Sequence, residues 1–218
     1  FYFKKNYISN EFRGFLLIFF VLFISFLLFK THDDFPYYHF PYTYYLTQNS
    51  FLVGAGSLNH GFRTPSSLFY LNSLFYLPLV KFYLFHIGAI SVMGFTLFIF
   101  IQKIILNLKK NKIDFLYFLN LAFIIFIIIF FYRLSEHGTD RSAQILILLI
   151  ICEIFVLIKK KEISKNDIAV LSILFAITIS MKLFYLLYIL FLIPIIYKFF
   201  MTEGIRFISK IFKNKIFY

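Results

Sequence analysis

At 218 residues and 61% hydrophobic, with a mean hydropathy of +0.84, the chain is well above the roughly 45–50% apolar content of a soluble domain, which excludes a soluble globular protein and leaves a polytopic membrane protein. The net charge is +12, yet only 15% of residues are charged, and the basic ones stand in short clusters between apolar runs rather than on one face of a soluble core, which excludes a nucleic-acid binder. The single cysteine, Cys152, excludes an intrachain disulfide and a cysteine-based zinc site.

Six apolar segments follow in chain order, at 14–30, 79–102, 114–132, 142–158, 167–181 and 183–199. Against a requirement of about 20 residues per spanning helix, they predict an all-α, polytopic transmembrane helix bundle of about six spans, with residues 1–218 as a single transmembrane domain. The first segment has the basic start and apolar core of a signal peptide. No small-x-small cleavage site follows it, so it reads as an uncleaved anchor. With Trp absent, tyrosines must supply any interfacial aromatic belt, and those from Tyr37 to Tyr45 read as such anchors.

The connecting segments set the orientation. Residues 1–13, 103–114, 159–167 and the tail from 198 together carry sixteen Lys and Arg; the alternate loops carry five, namely Lys30, Arg63, Arg133, Arg141 and Lys182. The positive-inside rule then places the N-terminus in the cytoplasm and requires a chain reversal at "SMK" around Lys182. Lys81 is expected one turn inside the second span, reaching the interface by snorkelling. Glu153, inside the fourth span, is read as structural, snorkelling or paired with a lysine.

The loops opposite the basic clusters hold the chemistry. The long first one, about 31–78, contains His32, Asp33, Asp34, His39, His60 and Arg63. It ends in "RTPSSLFYLNSLFYLP", predicted to be a surface helix capped by Thr64, with Pro65 in its first turn and Pro78 at its end. "GAG" at 54–56 is a flexible turn. The second loop, "RLSEHGTDRSAQ", packs Arg133, Glu136, His137, Asp140 and Arg141 between two spans, and the third offers Lys182 as a phosphate ligand or a snorkelling anchor. Carboxylates take protons from hydroxyls or bind divalent cations, and Arg and Lys hold phosphate. Acid and base together beside a membrane suit a phosphorylated lipid. The histidines match no HExxH-like spacing, which argues against zinc.

This layout resembles the GT-C superfamily of membrane glycosyltransferases, which includes the protein O-mannosyltransferases and the oligosaccharyltransferase catalytic subunits. "HDDFPYY" takes the place of the acidic motif after the first span, the helix near 65–77 that of a surface helix, and "EHGTD" that of a second acidic motif. The resemblance implies a polyprenyl-phosphate sugar donor, with Asp34 as general base and Asp33 as its alternative. It implies Arg63, Arg141 and Lys182 on the donor phosphate, and His39 and His137 among the substrate-binding groups. Glu136 and Asp140 would bind a divalent cation, Mg or Mn, or orient the acceptor in a metal-free member. Two adjacent residues on an extended segment point to opposite faces, so only one of the aspartates faces the acceptor. The start at Phe1 and the basic end "ISKIFKNKIFY" lead to the expectation of an N-terminal portion of a longer protein, and the heavy use of Phe, Ile, Lys and Asn with no disulfide to that of a bacterial inner membrane. A transporter or flippase of a lipid-linked substrate is the rival reading, and a non-catalytic assembly subunit the third.

Overall fold

The computed structural model describes residues 2–28, 32–49, 54–63, 65–134 and 138–201. Its elements are helical throughout; among the described residues the only β contact is an isolated bridge between Leu77 and Lys81. In chain order the helices are α1 (Tyr2–Leu28), α2 (Phe40–Gln48), α3 (Ser67–Ser73), α4 (Ile87–Lys109), α5 (Phe115–Phe130), α6 (Thr139–Lys159), α7 (Lys165–Met181) and α8 (Ile193–Phe199).

Among the described residues three stretches are long and apolar enough to cross a membrane: Asn10–Leu27, Phe82–Lys109 and Thr139–Lys159. They make this a membrane protein. Phe115–Phe130 and Leu183–Phe199 are apolar but shorter. The latter gains length by winding. Leu183–Leu192 is a 3-10 helix that passes into α8 at Pro194. At rises of about 2.0 and about 1.5 Å per residue the two parts cover about 30 Å, the thickness of a hydrocarbon core.

The bundle is centred on α4 and α6, each 56% buried over its most apolar window, whereas the α1 window is 6% buried. Phe100, Ile127, Ala143, Ile145, Ile150 and Cys152 form the tightest part of the core. The outward faces of α1, α5 and Leu183–Leu192 stay apolar, with Leu17, Phe20, Ile129, Phe130, Leu187 and Leu190 exposed. Such faces are compatible with lipid, whose tails are as apolar as leucine. α1 lies close against α4 because Gly94 has no Cβ, which would stand 2.7 Å from the Phe19 ring.

Both ends of α6 mark the path of the chain after α7. Lys182 reaches Asp140 at the α6 N-terminus, and Lys198 donates to the carbonyls of Leu157 (3.3 Å), Ile158 (2.7 Å) and Lys160 at its C-terminus. The chain therefore reverses at Lys182, and residues 183–199 run back along the full length of α6. Lys159 pairs with Asp114 and Lys160 with Asp167, so the basic loops meet at one end of the bundle and the loops with Asp34 and Asp140 at the other.

Several local expectations are corrected. α4 begins at Ile87, not 79, because residues 78–81 form a tight turn in which Lys81 takes φ +53°. Lys81 is thus exposed in a turn and not inside a span. The surface helix covers Ser67–Ser73 and is capped by Ser66, whose hydroxyl accepts from the Leu68 N–H at 3.2 Å; Thr64 lies outside the described residues. Glu153, by contrast, is paired with a lysine as expected: Lys103 of α4, across helices at 2.5 Å, in a cluster with Cys152 and Asn120.

Candidate functional site

Asp34 opens the first wall of the site. Its carbonyl accepts from the N–H groups of Tyr37 (3.2 Å) and Tyr38 (3.1 Å), and the turn then widens into a π-helix, Phe35–His39, that runs directly into α2. Pro36 sits in the first turn, where its missing N–H costs nothing. Asp34 has helical dihedrals (φ −72°, ψ −12°), so the segment is a turn and not the extended stretch expected. Successive side chains still diverge there, by about 100°. Asp34 lines a cavity, while Asp33 is exposed beside it and is not among the lining residues.

The wide turn swings Tyr38 over the Asp34 carboxylate and drives His39 inward. Burial raises the Tyr38 hydroxyl pKa, reinforced by the charges of Asp34 and Asp140 and by a hydrogen bond to Asp34. His39 is 7% exposed and packs on the Phe69 ring at 5.3 Å. Burial lowers its pKa to about 4 against the opposing pull of Asp34, so its imidazole is neutral at neutral pH. His32 accepts the Asp34 backbone N–H on Nδ1 at 3.0 Å, which puts its ring proton on Nε2. The 3.6 Å approach of Asp34 Oδ2 to that same Nδ1 becomes an ion pair only when His32 is protonated.

The second wall is the first turn of α6. Gly138 is the N-cap, and a Cβ there would stand 2.7 Å from His39 Cε1. A glycine at this point lets the two walls meet. Thr139, Asp140 and Arg141 follow, at the end of the helix where the first backbone N–H groups have no partner within the helix and the dipole is positive. His32, Asp34, Tyr38, His39 and residues 138–141 together line one cavity of about 160 Å³. Lys182 closes the far side of Asp140, with Nζ at 2.5 and 2.6 Å from its two carboxylate oxygens, and the Tyr185 hydroxyl donates to the Asp140 carbonyl at 3.3 Å. Two carboxylates and two fixed cations thus share one end of the bundle.

The other sequence candidates fall elsewhere. Arg63 donates from Nε to the Gly56 carbonyl at 3.4 Å, lies over that glycine and does not line the cavity. His60 is exposed in a separate 3-10 turn. Glu136 and His137 lie outside the described residues. No group of three or more His, Cys, Asp or Glu side chains suited to a metal is found among the described residues, and both oxygens of Asp140 face Lys182. Tyr38, Thr139 and Tyr185 join the site without having been singled out. Only the four-residue spacing from Asp34 to Tyr38 hints at the first of them.

No curated protein and no solved structure matches the chain. Residues 1–217 match the model of a domain of unknown function, DUF8201, and the chain belongs to that family.

Proposed function

We propose that this protein is a membrane glycosyltransferase that moves a sugar from a polyprenyl-phosphate donor to a hydroxyl acceptor on the non-cytoplasmic side. One observation carries the reading. Asp34, Asp140 and Arg141 line a single cavity with Lys182 behind Asp140, at the end of the bundle opposite the basic loops. The resemblance of "HDDFPYY" and "EHGTD" to the acidic motifs of GT-C enzymes supports it. In this reading the chain crosses a bacterial inner membrane six times, with the basic loops inside.

Asp34 takes the proton of the acceptor hydroxyl. The hydroxyl oxygen bonds to the anomeric carbon of the sugar as the bond from that carbon to the phosphate oxygen breaks. The polyprenyl phosphate leaves with one more negative charge than it carried in the donor. Arg141, Lys182 and the positive end of the α6 dipole oppose that charge, which grows toward the transition state, so they lower the barrier and do not merely bind the donor. Lys182, held on Asp140, supplies a fixed positive charge where the sequence suggested a divalent cation. Tyr38 orients the carboxylate of Asp34.

The test is sugar transfer from a radiolabelled polyprenyl-phosphate sugar, in membranes, at matched expression. Asp34→Asn is expected to lose about 100-fold or more, the usual contribution of a positioned base, and Asp33→Asn to stay within a few-fold of wild type. Equal rates in all three proteins would overturn the reading.

The Lys103–Glu153 pair is the observation on which a transporter reading rests, because ionisable groups inside helices mark ion pathways. Lys103 stands six residues before the end of α4, about 9 Å along the axis, and ties α4 to α6. A cross-brace of this kind predicts that Glu153→Gln leaves the transfer rate per folded molecule unchanged. A coupling site predicts loss of substrate movement.

A further inference from the structure

We infer that the head-proximal end of the donor's single hydrocarbon chain lies in the groove between α5, α6 and the 3-10 segment Leu183–Leu192, below the polar cavity. This rests on the transferase reading and adds where the lipid sits. The groove, about 290 Å³, is lined by Phe126, Phe131, Gln144, Ile147, Leu148, Ile151, Tyr185 and Tyr188.

Its floor is continuous with the site. Asp140, Gln144, Ile147, Leu148 and Ile151 follow one another on α6 in steps that keep them on one face, so the floor descends about 16 Å from Asp140. The polar groups are at the top. Tyr185 donates to the Asp140 carbonyl and is hydrogen-bonded to the Gln144 side chain. Below them the lining is hydrocarbon and aromatic ring. This is the profile of an amphiphile whose charged end is at Asp140, Arg141 and Lys182.

Its wall depends on the winding. In a 3-10 helix, side chains three residues apart eclipse one another. Tyr185 and Tyr188, which line the groove, and Phe191 beyond them therefore stand in a row of tilted rings, with centroids 5.7 Å apart at each step. An α-helix would turn each successive ring away by about 60° and break the wall. One groove accepts one chain per phosphate. A glycerophospholipid carries two and a polyprenyl phosphate carries one, so the single groove matches the polyprenyl phosphate. A second apolar groove lies between α1, α4 and α5, lined by Leu17, Val21, Met93 and Ile128 among others. It contains none of the residues bonded to Asp140, which makes it the internal control.

The experiment places a photo-crosslinking phenylalanine analogue at Leu148 or at Val21 in the protein in membranes, and adds radiolabelled polyprenyl phosphate. Label is expected at position 148, at least tenfold above position 21. Label at 21, equal label at both, or label at neither overturns the groove. In parallel, Leu148→Trp is expected to raise the KM for the donor at least tenfold with kcat within threefold, and Val21→Trp to change neither. Loss of kcat alone in Leu148→Trp would overturn the groove as well. Crosslinking at 148 in a protein that transfers no sugar would keep the groove and sink the transferase; transfer with label at 21 would do the reverse.

Discussion

The two ends of this bundle are built differently. At the basic end the starts of α5 and α7 are closed by side chains within three residues. Asp114 caps α5 through the N–H groups of Leu116 and Tyr117, and Ser164 and Asp167 form a reciprocal capping box on α7; Lys198, reaching back from the end of the chain's return, covers the last carbonyls of α6. At the opposite end α6 starts on Gly138 with no side-chain cap, the chain after α1 widens into a π-helix, and a 3-10 segment leaves from Lys182. Its bonds join residues far apart in sequence, such as Lys182 to Asp140, Tyr185 to Asp140 and Ser180 to Ser67. Locally satisfied caps stabilise helices wherever they stand. A helix start on glycine, ringed by charges from distant segments, does less for stability and turns the positive end of its dipole toward an anion. The second end has the character of a site because its polar groups come from segments distant in sequence and line one cavity.

That contrast is broken most sharply by removing one lysine from each end. Lys182→Met takes a fixed cation from the phosphate and leaves Asp140 unbalanced. A preorganised group of this kind is worth about 100- to 1,000-fold in rate, so kcat/KM for the donor should fall by that order. Lys160→Met removes a comparable pair with Asp167 at the basic end and should leave kcat/KM within twofold. Similar losses from both variants would mean that the two ends do not differ in function.

The next effect is on stability. His39 titrates near 4 when folded and near 6.5 when unfolded. Below pH 6.5 the unfolded chain takes up a proton that the folded chain refuses, so stability falls as the pH drops from 6.5 to 4 and levels off beneath. The full loss is at most about 3 kcal/mol. Thermal melts in detergent across this range should show it, and His39→Gln should flatten the slope. An unchanged slope in that variant would mean that His39 is not the buried neutral group at the junction of the two walls.

Much of the architecture was legible in the sequence because hydropathy and charge act over whole segments. Six apolar runs, four basic clusters and the reversal at Lys182 suffice to predict a helical bundle with two unlike ends. What was not legible depends on single backbone angles. The second run looks helical from residue 79, yet φ +53° at Lys81 delays α4 to Ile87. "HDD" announces a carboxylate site, but which aspartate enters the cavity follows from the turn that Pro36 and the π-helix impose. Arg63 looks equivalent to Arg141 as a loop cation. Gly56 gives it a surface to lie on and a carbonyl to hold, and that contact lies 7 residues back in the chain. Tyr38 is hidden in "FPYYHFPYTYY", where every aromatic reads equally well as a membrane anchor.

Two smaller perturbations sharpen the same contrast. Gly138→Ala puts a methyl 2.7 Å from His39 Cε1, at a contact where the ring is held by Phe69 and Tyr38 and has little room to retreat. Overpacking of this sort costs about 1–3 kcal/mol, and because it parts the two walls of the cavity, the transfer rate per folded molecule should drop with it. Ser164→Ala at the other end removes an N-cap and half of a capping box, worth about 1 kcal/mol, while the remaining bond of Asp167 to Lys160 limits the loss. It should lower the melting temperature by a few degrees and leave transfer per folded molecule untouched. The pair separates two meanings of a stabilising contact. At Ser164 the contact holds a helix end and nothing more, so activity and stability part company. At Gly138 the same close packing sets the distance between Asp34 on one wall and Asp140 on the other, so the two must fall together. If Gly138→Ala lowers stability alone, the walls need not be held apart by their present spacing and the cavity is a packing defect.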